Sequence, residues 1–313
     1  MQATTKPLRA AKTRLDLLAV AVLLACTMIW GVNQVVIKVV NSQMPPVMQA
    51  GLRSIGSAVL LCLWMNARGI PFTARDRTLW PGIAAGALFG LEFLLLYQAL
   101  DLTTASRSAV LLYTAPFFVA LGGHFLLPGD KLTVMKATGL GAAFLGILLA
   151  FWDNLAGSTR ASLTGDLMSL SAAIAWAATT VLIKATRLSA IQPERTLLYQ
   201  LIFSAVLLVP ASLLLGEPAL TWPGPMVLGG FAFTVVFVSF MSFAAWFWAI
   251  QNYPASRVAS FTFLTPVFGV LAGALVLFEP VSPRLIAALG LIAIGITLVN
   301  CPRTIGWRRP KKA

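Results

Sequence analysis

Ionisable side chains inside long apolar runs are the residues of this sequence most able to do chemistry. Glu92 lies in the run GALFGLEFLLLYQAL, and Arg53 lies similarly deep in the apolar run before it. A charged side chain in hydrocarbon is costly, so each of these residues should face a partner or a polar cavity. We therefore expect Glu92 to bind a substrate ammonium, to carry a coupling proton, or to form an internal ion pair with Arg53.

His124 is a second candidate for proton coupling. It is the single imidazole of the chain and lies near the end of an apolar run, where an interfacial or hydrogen-bonded histidine is the alternative. Cys26, Cys62 and Cys301 are scattered over apolar runs, so they provide neither a disulfide framework nor metal-ligand spacing. With few carboxylates and no Gly-x-x-x-x-Gly-Lys loop, the sequence predicts no metal, no cofactor, no ATP site and no catalytic residues.

Two tryptophans lie far from the ends of the predicted membrane spans, where anchoring tryptophans usually occur. Trp30 and Trp176 lie in the middle of apolar runs, so an aromatic belt at the membrane interface fits them poorly. Asn33 and Gln34 follow the first tryptophan, and Thr180 follows the second. We expect these groups to line a substrate cavity, with simple helix packing as the alternative.

Hydroxyl and aromatic side chains at helical spacing add further candidates. Tyr113 and Phe117 share one stripe, and Ser260 and Phe263 share the corresponding stripe 150 residues later. Such a face suits an amphipathic organic solute, whereas a packed aromatic core is the alternative. The full set predicted to line the cavity is Trp30, Asn33, Gln34, Glu92, Tyr97, Tyr113, Phe117, Trp176, Thr180, Ser242, Trp246, Ser260 and Phe263.

Two prolines lie in the same two stretches. Pro116 and Pro266 are 150 residues apart, and because proline lacks a backbone N–H, each should kink its helix. We expect the pair to act as a hinge, although proline is also tolerated in membrane helices without any mechanical role.

The elements that must position these residues are apolar segments. The chain of 313 residues is 58% hydrophobic and 11% charged, with a mean hydropathy of +0.86, which excludes an ordinary soluble globular domain. Crossing a hydrocarbon core of about 30 Å takes roughly 20 helical residues. The fold class is therefore an all-α polytopic membrane protein with ten transmembrane helices. These are predicted near residues 17–40, 45–66, 79–100, 104–127, 133–152, 165–186, 195–215, 224–250, 254–278 and 282–300.

The basic residues set the expected orientation. A net charge of +13 would indicate nucleic acid if these residues formed one face, but they concentrate at the termini and on one side of the ten spans. This positive-inside asymmetry predicts that residues 1–16 and 301–313 are cytoplasmic tails of an inner (plasma) membrane protein. We expect charges such as Arg195 to be solvated and Lys184 to extend to a surface. The expected partners are the bilayer and a small-molecule substrate, not nucleic acid, with the oligomeric state left open.

The chain is a duplication of one five-span unit. Residues 92–117, EFLLLYQALDLTTASRSAVLLYTAPF, recur as residues 242–267, SFAAWFWAIQNYPASRVASFTFLTPV, with Ala-Ser-Arg and proline matching. Trp30 precedes Lys38 by eight residues, as Trp176 precedes Lys184. Each half, residues 17–152 and 165–300, holds five spans, and because five is odd the second half must enter the membrane from the opposite side. Many secondary transporters are built from such inverted repeats.

In these features the chain resembles the drug/metabolite transporter superfamily, EamA type. The resemblance rests on the paired Trp-x7-Lys elements, the Ala-Ser-Arg turns before spans four and nine, and the Gly165–Leu167 opening of span six. It implies an inner-membrane carrier, commonly an exporter of amino acids or related metabolites, with a central cavity between the halves.

The expected function is therefore secondary transport. We predict export of small organic metabolites, foremost amino acids, aromatic ones included, by alternating access through a central cavity. A carrier of drugs or nucleotide-like metabolites is the nearest alternative, because the family includes both. A passive channel and a membrane-embedded enzyme are more distant alternatives, and the enzyme would need clustered acid, base or metal-binding groups that this sequence lacks.

Overall fold

The computed structural model describes residues 15–73, 76–103, 105–150, 152, 160–269, 271 and 283–301. Every regular element in these ranges is helical. The α-helices are α1 (Leu17–Asn41), α2 (Pro46–Ala67), α3 (Leu79–Leu102), α4 (Ala105–Leu112), α5 (Ala115–Leu126), α6 (Val134–Ala150), α7 (Arg160–Ala185), α8 (Pro193–Leu214), α9 (Pro225–Phe233), α10 (Phe243–Asn252), α11 (Ala255–Ser260) and α12 (Pro283–Asn300). A 3-10 turn, Arg187–Ala190, precedes α8, a π-helical segment, Thr234–Ser242, joins α9 to α10, and a second 3-10 turn, Phe261–Leu264, follows α11.

Several of these helices are long and apolar enough to cross a membrane. Five have the full length: Pro46–Ala67, Leu79–Ala99, Ser162–Ala185, Pro193–Leu214 and Pro225–Asn252. Four shorter apolar helices accompany them: Leu17–Asn33, Val110–Leu126, Val134–Leu149 and Ile286–Asn300. The chain is therefore an all-helical, multi-pass membrane protein. The predicted span at residues 254–278 is described only through 269 and at 271, so the count of ten stays a prediction.

Helices α2 and α8 begin and end with the same residue types. Each begins with a proline, Pro46 and Pro193, after a residue with extended backbone. A glycine with positive φ follows each, Gly69 at 63° and Gly216 at 71°. Proline is preorganised for the first helical turn, and glycine tolerates the left-handed conformation that stops a helix. The two helices therefore cover equivalent lengths in the two halves of the chain.

The predicted fourth span, residues 104–127, is interrupted near Pro116, where the sequence predicts a kink. It splits after Leu112, and α5 begins with Pro116 in its first turn. The proline ring cannot donate a backbone hydrogen bond and clashes with the preceding turn. The N–H of Phe117 instead bonds to the carbonyl of Thr114 at 2.9 Å, and the Thr114 hydroxyl donates to the carbonyl of Leu111 at 2.6 Å.

The equivalent stretch in the second half is interrupted as well. Helix α11 ends at Ser260, the 3-10 turn Phe261–Leu264 follows, and α-helical backbone resumes at 265–269. This turn lies just before Pro266, as the break at residues 113–114 lies just before Pro116. Both prolines therefore occur where the helical hydrogen bonding changes.

The π-helical segment was not predicted from the sequence. Nine residues, Thr234–Ser242, form it inside the stretch that was expected to be a regular helix over residues 224–250. The Ser242 hydroxyl donates to the carbonyl of Val238 at 2.5 Å. A π-helical turn widens the helix and is often found at functional sites, and this one ends at a predicted cavity residue.

Equivalent helices of the two halves pack against each other in opposite directions. Gly51 of α2 lies against Val209 of α8, while further along α2 the Ser54 hydroxyl accepts a hydrogen bond of 3.0 Å from Ser204. Residue numbers thus rise along α2 as they fall along α8, so the two helices are antiparallel.

Helices α6 and α12 repeat this arrangement. Gly139 lies against Val299, and Gly146, two turns later, lies against Ala288. The glycines allow the two backbones to approach closely, as small residues do in membrane helix pairs. This second pair of equivalent helices is therefore also antiparallel.

Polar contacts gather the helix ends into two groups. At one end, which we call the ionic end, Arg195 bonds to Asp76 at 2.6 Å and Tyr253 donates to Asp16 at 2.9 Å. Lys136 bonds to Asp130 there at 2.5 Å. Burial raises the pKa of Asp130, but the Lys136 ammonium and the hydrogen bonds from Lys136 and Ser256 outweigh it and hold the pKa below its usual range.

At the opposite end, the described contacts are of a different kind. Glu217 accepts hydrogen bonds of 2.9 Å from the backbone N–H groups of Val47 and Met48. Thr103 donates to Asp166 at 2.8 Å. This end therefore joins helix termini mainly through carboxylates that accept from neutral groups.

Two expectations about basic residues are corrected at the ionic end. Arg195 is buried in its ion pair with Asp76 rather than solvated. Lys184 donates to the carbonyls of Ile250 and Gln251, at 2.7 and 2.8 Å, rather than only extending to a surface. Cations bind well at a helix C-terminus because its last carbonyls lack intrahelical partners, and this contact joins α7 to α10.

Candidate substrate site

Trp30 is the centre of a group of contacting rings contributed by both halves. Its indole N–H donates to the Ser242 hydroxyl at 2.7 Å. Its ring centroid lies 4.8 Å from Trp246, 5.8 Å from Phe243 and 6.3 Å from Trp176. The π-helical segment contributes directly to this group, because it sets the position of Ser242.

The contact between Trp30 and Trp176 joins equivalent positions of the repeat. Each tryptophan lies eight residues before a lysine in its own half, and in the fold the two rings meet edge to face, at an interplanar angle of 72°. A residue and its repeat equivalent can touch only near the axis that relates the two halves. These tryptophans therefore lie at the interface of the halves.

A row of further rings leads away from Trp30. Phe243 lies 5.4 Å from Phe89, which lies 5.0 Å from Phe93, and Phe93 lies 6.4 Å from Tyr97. Sequence reasoning did not include Phe89 or Phe93 in the site. Their spacing of four residues around Glu92 was the available signal, since residues i and i+4 share a helix face.

Arg53 and Glu92 lie at the far end of this row as buried and unpaired charges. Arg53 is 3% exposed and Glu92 is 7% exposed. The Arg53 guanidinium carbon lies 4.3 Å from the centroid of the Phe93 ring, and Arg53 is close enough to Glu92 and Tyr97 to interact with them electrostatically. The ion pairs found within 4.0 Å in the described ranges join other residues. The internal ion pair considered from the sequence is therefore not formed in this structure.

Several buried polar atoms in this part of the molecule lack a hydrogen-bond partner. The buried atoms that lack a hydrogen-bond partner include the Trp246 indole N–H, the Asn33 side-chain oxygen, the Ser239 hydroxyl and both amide atoms of Gln200. Leaving a buried polar group unsatisfied costs about 1–3 kcal/mol, and native proteins contain few of them. Such groups need water or a ligand to satisfy them.

Other predicted cavity residues pack in the same apolar cluster but have local partners. Phe117 lies 6.3 Å from Phe263 and 5.5 Å from Phe144. Tyr113 is buried in this cluster. Thr180 donates to the carbonyl of Trp176 at 3.1 Å, and Ser260 donates to the carbonyl of Arg257 at 2.8 Å. These predicted cavity residues are thus packed rings and hydroxyls that bond to their own helices.

Two of the predicted residues are not assigned to this group. The side chain of Gln34 lies outside the described residues. His124 accepts a hydrogen bond of 3.1 Å on Nδ1 from the backbone N–H of Leu132, and its carbonyl accepts one of 2.7 Å from Lys131. His124 therefore anchors the loop at the ionic end, in agreement with the hydrogen-bonded alternative considered from the sequence.

Two cavities lie away from this group. One of about 540 Å³ is formed between α2 and α8 by residues that include Val59, Cys62 and Ile202, and one of about 220 Å³ includes Trp222. No predicted substrate residue lines either cavity. Within the described ranges, no group of three or more His, Cys, Asp or Glu side chains could hold a metal ion. The rings around Trp30 are themselves in direct contact.

The sequence profile of the EamA-like transporter family matches the chain twice, at residues 17–152 and 163–301. The chain belongs to the EamA-like transporter family. Family membership and the helical architecture together make it a membrane transporter, and the family belongs to the drug/metabolite transporter superfamily.

Relatives of known sequence support this assignment over almost their whole length. An uncharacterized transporter of Bacillus subtilis, YoaV, is 28% identical over 276 residues, covering 88% of this chain and 94% of the relative. A probable amino-acid metabolite efflux pump of Escherichia coli is 27% identical over 301 residues, covering 92% and 96%. A protein of known crystal structure shares the fold, with a TM-score of 0.79 at 18% identity, covering 90% of this chain and 95% of the other.

Proposed function

We propose that this transporter exports small organic metabolites, foremost amino acids, by alternating access between two inverted halves. The relative from Escherichia coli that is described as a probable amino-acid metabolite efflux pump is similar over 92% of this chain, which favours this substrate class and direction. The aromatic content of the central group favours substrates with apolar or aromatic side chains.

The antiparallel packing of equivalent helices supports the inversion. Two equivalent helices that touch are related by a two-fold axis between them. If they are parallel the axis runs along them, and if they are antiparallel it runs across them. Helices α2 and α8, and likewise α6 and α12, are antiparallel, so in a membrane-spanning bundle the axis lies in the membrane plane, as in inverted-repeat transporters.

The observation that carries the proposal is the contact between Trp30 and Trp176. The ring centroids of these two equivalent residues are 6.3 Å apart. The pair lies at the proposed axis, beside unpartnered polar atoms of Asn33 and Trp246. Substrate sites of inverted-repeat carriers lie at the repeat interface near the midplane. We assign the predicted cavity to this interface and interpret the packed rings as its closed form.

Orientation and hinge follow from the same proposal. The ionic end holds the helix termini that the charge pattern assigns to the cytoplasm, so both chain termini are proposed to be cytoplasmic and the membrane to be the inner membrane. Pro116 and Pro266 follow the interruptions of the helical backbone in equivalent stretches, which supports a paired hinge.

The experiment is a counterflow assay with the purified chain in proteoliposomes. Vesicles are loaded with each of the twenty amino acids, with nucleosides or with cationic drugs, and uptake of the labelled compound is compared with protein-free vesicles. We expect saturable uptake driven by an internal amino acid. Exchange of only nucleosides or drugs would move the substrate class to the nearest alternative, and unsaturable flux without exchange would indicate a channel.

A further inference from the structure

The charges of Arg53 and Glu92 have no partner that explains their burial. Glu92 Oε2 and Arg53 Nε and Nη2 lack hydrogen-bond partners although both residues are more than nine-tenths buried. Moving a charge out of water without compensating bonds is costly. Arg53 and Glu92 are close enough to interact electrostatically, yet their free atoms do not bond to each other and are available to a ligand.

The free atoms of Arg53 have the geometry of a carboxylate site. Nε and Nη2 form one edge of the planar guanidinium, and an edge of this kind binds a carboxylate through two parallel hydrogen bonds. The guanidinium carbon lies over the Phe93 ring, 4.3 Å from its centroid, at cation–π distance. This contact holds the group against the ring, while Nε and Nη2 remain without hydrogen-bond partners.

Glu92 offers the complementary group for a cation. The repeat places it at the position that Ser242 holds in the other half, where the hydroxyl binds Trp30 at 2.7 Å. Arg53 likewise corresponds to Gln200, a fully buried amide whose polar atoms are unpartnered. The duplication therefore put polar groups at both pairs of positions, but only one half acquired a positive and a negative charge.

The surroundings of the two charges are aromatic. Phe89 and Phe93 flank Glu92 along α3, and the row of rings continues through Phe243 to Trp30. A ligand held by the two charges would place an apolar substituent on these rings.

We propose that Arg53 and Glu92 together form a binding site for a zwitterion, a free α-amino acid with an apolar or aromatic side chain. Arg53 binds the carboxylate, Glu92 binds the ammonium, and Phe89 and Phe93 contact the side chain. The inference rests on the proposed function and deepens it, since it names the ligand class and the residue for each charge. The two cavities described above are not lined by these residues, and in this proposal the site fills in a more open form.

The test uses three probes that share a phenyl ring and differ in charge. Phenylalanine carries both charges, phenethylamine lacks the carboxylate, and 3-phenylpropionate lacks the ammonium. Their dissociation constants are measured by fluorescence titration of the purified full chain in detergent, for the wild type, Arg53→Gln and Glu92→Gln. Arg68→Gln is the matched control, because it removes an exposed guanidinium at the end of the same helix.

A swap in selectivity is the expected result. The wild type should prefer phenylalanine, and each single variant should bind phenylalanine about 10-fold to 100-fold more weakly, the effect of losing hydrogen bonds to a charged group. Arg53→Gln should then bind phenethylamine as well as phenylalanine, and Glu92→Gln should bind 3-phenylpropionate as well as phenylalanine. A merely structural pair would not exchange its preference in this way. The Arg68→Gln control should keep the wild-type order.

Several results would overturn the inference. It fails if both variants keep the wild-type preference, or if the wild type binds a singly charged probe as tightly as phenylalanine. Should a single variant not fold, the double variant Arg53→Gln/Glu92→Gln, which changes no net charge, must lose all preference among the probes. Wild-type counterflow of amino acids with unchanged variants would reject this site alone, whereas a wild type that neither binds nor exchanges any amino acid would reject the proposed function too.

Discussion

The ionic end and the centre of the molecule use the same kinds of charged residue in opposite ways. At the ionic end, Asp130 is bonded to Lys136 and to both the hydroxyl and the backbone N–H of Ser256. At the centre, Arg53 and Glu92 are more deeply placed in apolar runs and keep free hydrogen-bonding atoms. Satisfied charges hold helix termini together, while unsatisfied charges are available to a ligand. The difference separates residues that maintain the fold from residues that we propose bind the substrate.

Replacing Glu92 gives the largest expected effect on this contrast. Glu92→Gln removes the charge while keeping the size of the side chain, and in the proposed site it removes the group that binds the substrate ammonium or carries a proton. We expect transport in proteoliposomes to be abolished or uncoupled from the pH gradient, with a normal yield of folded protein. A buried unpaired carboxylate is costly, so the variant should be at least as stable as the wild type.

Glu194→Gln provides the control for that experiment. Glu194 lies in the first turn of α8 and is only partly buried, so its loss should leave transport within about twofold of the wild type, since surface substitutions usually have small effects. Unchanged transport and unchanged pH dependence in Glu92→Gln would contradict the proposed role of this carboxylate. The charged residues of the centre would then differ from those of the ionic end in their hydrogen bonding but not in their role.

The next largest effect is expected at the repeat interface. Trp30→Ala removes three ring contacts and the hydrogen bond to Ser242, each ring pair contributing about 0.5–1.5 kcal/mol beyond burial. We expect the KM for the exchanged substrate to rise about tenfold or more, and expression to change less. Trp222→Ala is the matched control, because that ring is 89% exposed. Normal uptake by Trp30→Ala would count against a substrate-lining position.

Hydropathy and duplication were enough to predict the helices but not their irregularities. Apolar runs predicted α2 and α8 to within two residues at each end, because burial in a membrane demands continuous apolar sequence. The π-helical segment was missed, since its residues, TVVFVSFMS, are as apolar as a regular helix. Its geometry depends on packing against neighbouring helices, and a one-dimensional pattern does not contain that information.

The sequence also could not predict which residue each buried charged side chain contacts. The charge pattern indicated which side of the membrane Arg195 occupies, but not that it is buried against Asp76 from another loop. In the same way the depth of Arg53 and Glu92 was predictable from the run lengths, while their separation was not. Pairing depends on distances between packed helices and loops, of the same half or of different halves, which repeats in the sequence do not specify.

Removing an ion pair at the ionic end should lower the stability of the folded protein more than it affects substrate binding. Asp130→Asn leaves the Lys136 ammonium without its carboxylate in a largely buried position, where Lys136 is 12% exposed and Asp130 is 5% exposed. Removing one partner of a buried ion pair costs about 3–5 kcal/mol. We expect a lower midpoint of thermal unfolding in detergent, with the KM unchanged. The double variant Asp130→Asn/Lys136→Met should recover part of the loss, as a double-mutant cycle would show for coupled residues.

The Asp130 carboxylate should also make the stability of the folded protein depend on pH in a defined direction. The folded pKa of Asp130 is held below its unfolded value by Lys136 and Ser256, so its contribution is present above the unfolded value of about 3.9 and is lost as the pH falls through the lowered folded pKa. The difference in stability between the wild type and Asp130→Asn should therefore be large at neutral pH and shrink in strong acid. A difference that stays constant down to acid pH would contradict the assignment.

The smallest effect is expected at the paired prolines, which connect the two regions. Pro116→Ala restores a backbone N–H at the start of α5, where Thr114 and Phe117 now form a short turn, and so favours a continuous helix over the broken one. We expect turnover in counterflow to fall a few-fold while the KM stays unchanged, because the substitution alters the exchange between forms and not the site. Pro210→Ala is the matched control, since that proline lies inside α8 without interrupting it. If both variants slow transport equally, the break before Pro116 has no special mechanical role.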